Sequence, residues 1–297
     1  MKVIAKVPGS CGELIQGLIG GKELLVSYPV NLYSTVEITL KEKNTTRKLD
    51  LTKHLKVYKV FRLFLKKLSL EYLIDKFEIN ISNQIPVGKG MASSTADLAG
   101  VLWGVSTLLN YPITDKELGK ILALVDPTDS TIFKDLSLFD PKKGKVVKNL
   151  GPVPHFSILV LQGYGTIDTK KLYKNKNNKG RKDLKELIVK LNRALKEGNI
   201  QSLGEIATLS ALENQKILYK PYLEEVINLV YKYNGYGLNI AHSGTVCGVI
   251  YDEKFDKEKF LQELSIKHHQ TFEKIYPLQS IDGGVKIKIE REMKKNV

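Results

Sequence analysis

The chain has 297 residues, 42% of them hydrophobic and 26% charged, with a formal net charge of +14. That length accommodates one large domain or two modest ones with buried cores, and the composition is that of a soluble globular protein. No apolar run nears the ~20 residues of a membrane span, no secretory pattern opens the chain, and two cysteines, Cys11 and Cys247, are too few for a disulfide framework.

A cytoplasmic protein without a membrane partner is therefore expected. The basic charge suits nucleic acid or any other polyanion. The lysines are nevertheless interleaved with acids, as in Lys182-Asp183-Leu184-Lys185-Glu186, and local excesses at Lys41 to Lys48, Lys170 to Lys182 and Lys294-Lys295 have the look of loops and a tail. No nucleic-acid partner is expected.

In chain order, Val3, Ala5 and Val7 alternate with Lys2, Ile4 and Lys6. Glu23 to Val26 is a second short run, and Val30 to Leu40 a third, rich in β-branched and aromatic residues. Three strands are predicted there. Over 53–69 the period changes: Leu55, Val60, Leu63, Phe64 and Leu68 share a helical stripe with lysines opposite. Phe77 to Ile81 alternates again, a glycine-rich segment follows, and an apolar helix runs from about Ser93 to Leu109. Thr114 and Glu117 have the spacing of a capping box for a further helix.

The second half opens on a strand, Phe156 to Leu161, and a polar stretch, Lys170 to Arg181, which reads as a surface loop or a lid. Helical patterns lie near 182–197, 200–214 and 222–233. Strands follow near 238–241 and 246–251, then a charged helix near 256–268 and strands near 270–276 and 284–289. This order is α+β and lacks the regular strand–helix alternation of a Rossmann or TIM fold. A boundary near Gly151-Pro152 divides the chain into 1–151 and 152–297.

The segment Pro86-Val87-Gly88-Lys89-Gly90-Met91-Ala92-Ser93-Ser94-Thr95 lies between a predicted strand and a predicted helix. Gly88 and Gly90 allow positive φ and close approach of backbone to a ligand. Amides in the first helical turn have no partner inside the helix, and the helix dipole adds positive charge there, so the position suits a phosphate. Ser93, Ser94 and Thr95 add hydroxyls that donate to phosphate or ligate Mg²⁺. The plain alternative is a tight turn capping a core helix. Neither a Walker loop nor a dinucleotide fingerprint is present, since Ser93 stands where the latter needs glycine.

The run from Pro86 to Ala96 resembles the second motif of the GHMP kinases. Pro8-Gly9-Ser10-Cys11-Gly12-Glu13-Leu14-Ile15-Gln16-Gly17 resembles their first motif, and Gly237 to Gly248 their third. All three occur in family order across nearly the whole chain. The first motif and the Asp126-Pro127-Thr128-Asp129-Ser130 turn are most similar to the branch that contains L-threonine kinase of cobalamin biosynthesis. The resemblance implies a two-domain fold, with a ribosomal-protein-S5-like N-terminal domain, a ferredoxin-like C-terminal domain and a site between them. It implies ATP and Mg²⁺, and L-threonine as the acceptor, with homoserine or a mevalonate-type alcohol as the nearest alternative. Two departures stand out. Ser10 replaces the lysine of mevalonate-kinase-like members, and Ala92 replaces the glycine before the serine pair, which requires a negative φ to be tolerated.

Phosphorylating an alcohol requires loss of its proton, which a carboxylate within hydrogen-bond reach accepts. The resemblance assigns that role to Asp129; on residue type alone, Asp126 to Ser130 reads more readily as an Asx-type turn. The metal is assigned to Ser94 and Asp126, with Glu117 competing. Pro86, Gly88 to Thr95 and their amides are the nucleotide candidates. Ser10, Glu13, Gln16, His242, Ser243, Gly244 and Thr245 are the acceptor candidates, Glu13 because an ammonium needs a carboxylate partner. A lone histidine near a strand end is also commonly structural, and Cys11 reads as a small packed residue. His268-His269 has no cysteine partners, so no zinc is expected.

Overall fold

A computed structural model describes residues 1–45, 51–167 and 180–291. Instead of three short strands, the first forty residues form two long ones, β1 (Lys2–Ile19) and β2 (Lys22–Leu40), paired antiparallel. Pro29 and the glycines of the first motif read as breaks, yet Pro29 sits within β2 opposite Ser10. Register shifts between Pro8 and Gly9 and between Ser10 and Ile15 absorb the irregularity and bend β1 at that motif.

Helix α1 (Leu51–Lys67) is broken at His54, whose φ of −121° and ψ of 33° are not helical. Its buried face is Val57, Val60, Phe61, Phe64 and Leu65. Leu55 and Leu63, expected on that face, are 52% and 39% exposed. Strand β3 (Phe77–Asn83) pairs with β2 and leads through the glycine segment into α2 (Ser93–Leu108). The absence of a side chain at Gly100 lets α2 lie directly on Val36 of β2.

Helix α3 (Asp115–Ala123) begins as its capping box predicts, with the Thr114 side chain accepting from the Glu117 amide. Strands β4 (Leu136–Asp140) and β5 (Lys145–Gly151) extend the sheet beyond β2 and have no counterpart among the predicted elements.

The second half runs β6 (Ser157–Gly163), α4 (Lys185–Glu197), α5 (Ile200–Asn214), α6 (Leu223–Lys232), β7 (Gly237–Ile240), β8 (Val246–Tyr251), α7 (Lys257–Lys267), β9 (Phe272–Gln279) and β10 (Lys286–Glu290). These follow the predicted order closely. Of the polar stretch at 170–181, residues 170–179 lie outside the described ones, as do 292–297 with the lysines of the tail.

The strands join in one sheet, order β5-β4-β2-β1-β7-β8-β6-β9, with β3 added on β2 and β10 on β1. The halves meet where Glu13 of β1 pairs with Ile240 of β7. The larger core cluster spans both halves under α1, α2, α4 and α5, and a smaller one gathers Val226, Val230, Val249 and Phe260 beneath α6 and α7. The fold is α+β, as expected. Among the described residues no helix is long and apolar enough to cross a membrane.

Candidate active site

The segment joining β3 to α2 turns back on itself through two left-handed glycines, Gly88 at φ +71° and Gly90 at φ +85°. The missing side chains make room for the protein itself. A Cβ on Gly88 would strike Thr166, and one on Gly90 would strike Ala241 and Gly244. The Lys89 carbonyl accepts from the amides of Thr245 (2.9 Å) and Val246 (3.2 Å), and the Gly88 carbonyl from Ile167 (3.2 Å). The second and third motifs are thereby locked into one surface.

One expectation for this segment is corrected. Ala92 adopts φ +61°, not a negative value, at the cap of α2, where its side chain makes no capping bond. An alanine in that region costs about 1–2 kcal/mol. The Lys89 ammonium turns away from the cavity to the Gly163 carbonyl (2.8 Å) and Glu273 (2.6 Å), so only the backbone of Lys89 belongs to the loop.

A cavity of about 890 Å³ opens over the start of α2, lined by Pro86, Gly88, Gly90 and Met91 to Thr95. Among the described residues, four acids line it: Glu13, Asp97, Asp126 and Asp129. Asp129 is nearly buried, and its backbone N–H donates to Thr95 Oγ1 (3.1 Å), to which Thr128 Oγ1 also donates (3.3 Å). Its carboxylate accepts from the Thr131 amide (3.3 Å), so the Asx turn and the site are the same feature. Burial pushes the carboxyl up to about 6, against a smaller opposing effect of the Thr131 and Ser130 amides.

Asp126 meets Ser94, whose hydroxyl donates to Oδ2 at 3.2 Å, and Lys56 donates to the same oxygen at 2.6 Å. The other oxygen, Oδ1, is buried with no hydrogen-bond partner. An unmatched carboxylate oxygen beside a hydroxyl is a donor set that fits a hard divalent cation. Among the described residues no group of three or more His, Cys, Asp or Glu has metal-binding geometry. Glu117, the competing candidate, is off the cavity and pairs with Lys67 and with Tyr111 (2.9 Å).

Asp97 had not been singled out. Its Oδ1 accepts from Ser34 (2.6 Å) and from Asn83 (2.7 Å), whose amide also reaches Ser93 (3.1 Å), and burial raises its carboxyl above the usual range. The available signal was a single acid in the otherwise apolar run of α2, since buried charge is rare without a task. The turn of α1 around the His54 break also lines the cavity, where the pattern suggested only a stripe facing the core.

At the other end the first and third motifs meet. Glu13 Oε2 accepts from the His242 amide (2.6 Å), and Glu13, His242 and Ser243 line the cavity. Ser10, Gln16, Gly244 and Thr245 stand behind it. The Ser10 amide donates to the Met91 carbonyl (3.0 Å), Thr245 Oγ1 to Gly163 (3.1 Å), and Gln16 lies against His242 Nδ1 (2.9 Å). Both cysteines are buried free thiols.

The family model for the GHMP kinases N terminal domain matches residues 56–132, and that for the GHMP kinases C terminal matches 191–270. The L-threonine kinase of Citrobacter freundii is 33% identical over 290 residues, covering 96% of this chain and 99% of that protein. The L-threonine kinase of Salmonella typhimurium is 33% identical over 96% of this chain and 95% of its own length. The crystal structure of homoserine kinase from Cytophaga hutchinsonii superimposes with a TM-score of 0.70 over 97% of each chain at 14% identity. The first match begins at Lys56 and ends just beyond Asp129, the stretch that supplies most of the cavity wall.

Proposed function

The chain belongs to the GHMP kinases, ATP-dependent kinases of small-molecule alcohols, and from that premise we propose that its acceptor is L-threonine. The product is then O-phospho-L-threonine and ADP, supplied to the aminopropanol linker of cobamides. The curated L-threonine kinases that match nearly end to end support the acceptor. The observation that carries the chemistry is the bond from the Asp129 amide to Thr95 Oγ1, which fastens an acid to the first turn of α2.

The phosphates of ATP lie on the amides of 87–95, where first-turn N–H groups and the α2 dipole favour a polyanion. Asp129 accepts the proton of the acceptor hydroxyl, and a carboxyl held at about 6 is both ionised and basic near neutral pH. Ser94 and Asp126 would hold Mg²⁺, which when bound offsets charge on the phosphate oxygens. Glu13 faces the ammonium of the amino acid. The division between halves falls at 151/152, after the last residue of β5, a position supported by family matches on either side of it. The site of action is the cytoplasm.

Coupled ADP release over a panel of L-threonine, L-serine, homoserine and mevalonate, with mass spectrometry of the products, tests the acceptor. Threonine-dependent release with a phosphothreonine product is expected. Turnover of homoserine or mevalonate without threonine would reject it.

A further inference from the structure

We infer that Lys56 is a positioning residue, the resident counter-ion of Asp126, which holds that carboxylate in the nucleotide-free enzyme and competes with a divalent metal for it. The inference rests on the metal role proposed above for Asp126 and Ser94, and adds what has to leave when a metal arrives.

Two donors converge on one oxygen. Asp126 Oδ2 accepts from the Lys56 ammonium at 2.6 Å and from the Ser94 hydroxyl at 3.2 Å. All three residues line the cavity over the start of α2. The Asp126 side chain is only 7% exposed, and the ammonium supplies the positive charge that a buried carboxylate needs. A divalent ion shared by Ser94 and Asp126 therefore meets a cation already in place. Two cations on one carboxylate in a largely desolvated corner repel each other, so binding of one weakens binding of the other.

The ends of the pair differ in freedom. Asp126 is fixed by its backbone, whose amide donates to the Leu122 carbonyl (3.1 Å), and by Pro127 after it. The Lys56 side chain is 48% exposed, on a flexible four-carbon stem, two residues past the helical break at His54. The lysine is the partner that moves. While it stays, it offsets the charge of Asp126, which would otherwise repel an incoming polyphosphate before any metal has arrived.

The test reads metal binding, not turnover. Mn²⁺ is titrated into nucleotide-free enzyme, and the free ion is followed by electron paramagnetic resonance. Lys56→Met keeps an apolar stem without the charge, and should bind Mn²⁺ about fivefold or more tightly than the parent, the size of a lost ion-pair competitor. Lys56→Arg retains a cation and should bind it no more tightly than the parent. Lys59→Met removes an exposed lysine of the same helix that does not line the cavity, and should leave the affinity unchanged. Equal affinity in Lys56→Met and the parent overturns the inference, as does binding too weak to detect in Lys56→Met. So does an equal gain in Lys59→Met, which would make the effect one of general charge. Asp126→Asn, made in the parent and in Lys56→Met, separates the two readings. Binding that Asp126→Asn weakens but Lys56→Met leaves alone overturns the counter-ion only. Binding indifferent to Asp126→Asn overturns the metal role, and the counter-ion with it.

Discussion

Burial of Asp129 has two consequences of opposite sign for activity and for stability. With its carboxyl at about 6, and with Asp129 as the proposed base, kcat/KM should fall as pH drops through that value, because the carboxylate is then protonated. Asp129→Asn should retain ATP affinity and lower turnover by about a hundredfold or more, checked by steady-state kinetics and nucleotide titration. For folding, a carboxyl raised from 3.8 to about 6 contributes stability that is fully present below 3.8 and is lost as pH rises through 6. Asp129→Asn should therefore be more stable than the parent at pH 8, by on the order of 2–3 kcal/mol, with the gap closing towards pH 4. Denaturant melts at the two pH values measure it. Ala92 offers a cleaner case of strain. Ala92→Gly relieves a left-handed alanine and should stabilise by about 1 kcal/mol, seen as a higher midpoint of unfolding. Of the acids that line the cavity, Glu13, Asp126 and Asp129 stand in the motifs and Asp97 does not, and no motif carries the sign of φ at Ala92. It is set by how the loop closes on residues 241–245, which no local pattern records.

Elements with a sustained period declared themselves: α2, α5 and the α3 cap lie within a residue or two of where spacing put them. Strands β4 and β5 did not. Leu136 to Phe139 is buried on both faces and so has no alternation, while β5 is a largely exposed sheet edge with lysines along it. The stripe of α1 was misplaced because Leu55 and Leu63 fit the period as well as Phe61 and Leu65, and only packing decides between them. At the same scale, the contact between the Gly88–Gly90 segment and the 241–245 turn makes a sharp prediction. Gly90→Ala places a methyl against Ala241 and Gly244 at φ +85°. It should destabilise by about 2 kcal/mol and raise KM for ATP, measured by melting and kinetics.

Across the whole molecule, two family domains share one sheet and one main core cluster. The last described strand, β10, returns to pair with β1 at Lys2 to Lys6, so strands from opposite ends of the described residues lie side by side in the sheet. Unfolding should accordingly be a single cooperative transition, with calorimetric and van't Hoff enthalpies in agreement; two resolved transitions would mean the halves melt separately. This return of β10 was hidden in the sequence, since a short strand near 284–289 says nothing of its neighbour.

The orientation of Lys89 has a consequence for ionic strength. With that ammonium committed to Glu273 and Gly163, the pull on a triphosphate bound as proposed at the glycine loop would come from aligned peptide units at contact range. Dissolved ions screen distant charges far more than touching dipoles. On that proposal the +14 of the chain would govern how fast a nucleotide arrives, and the loop how long it stays.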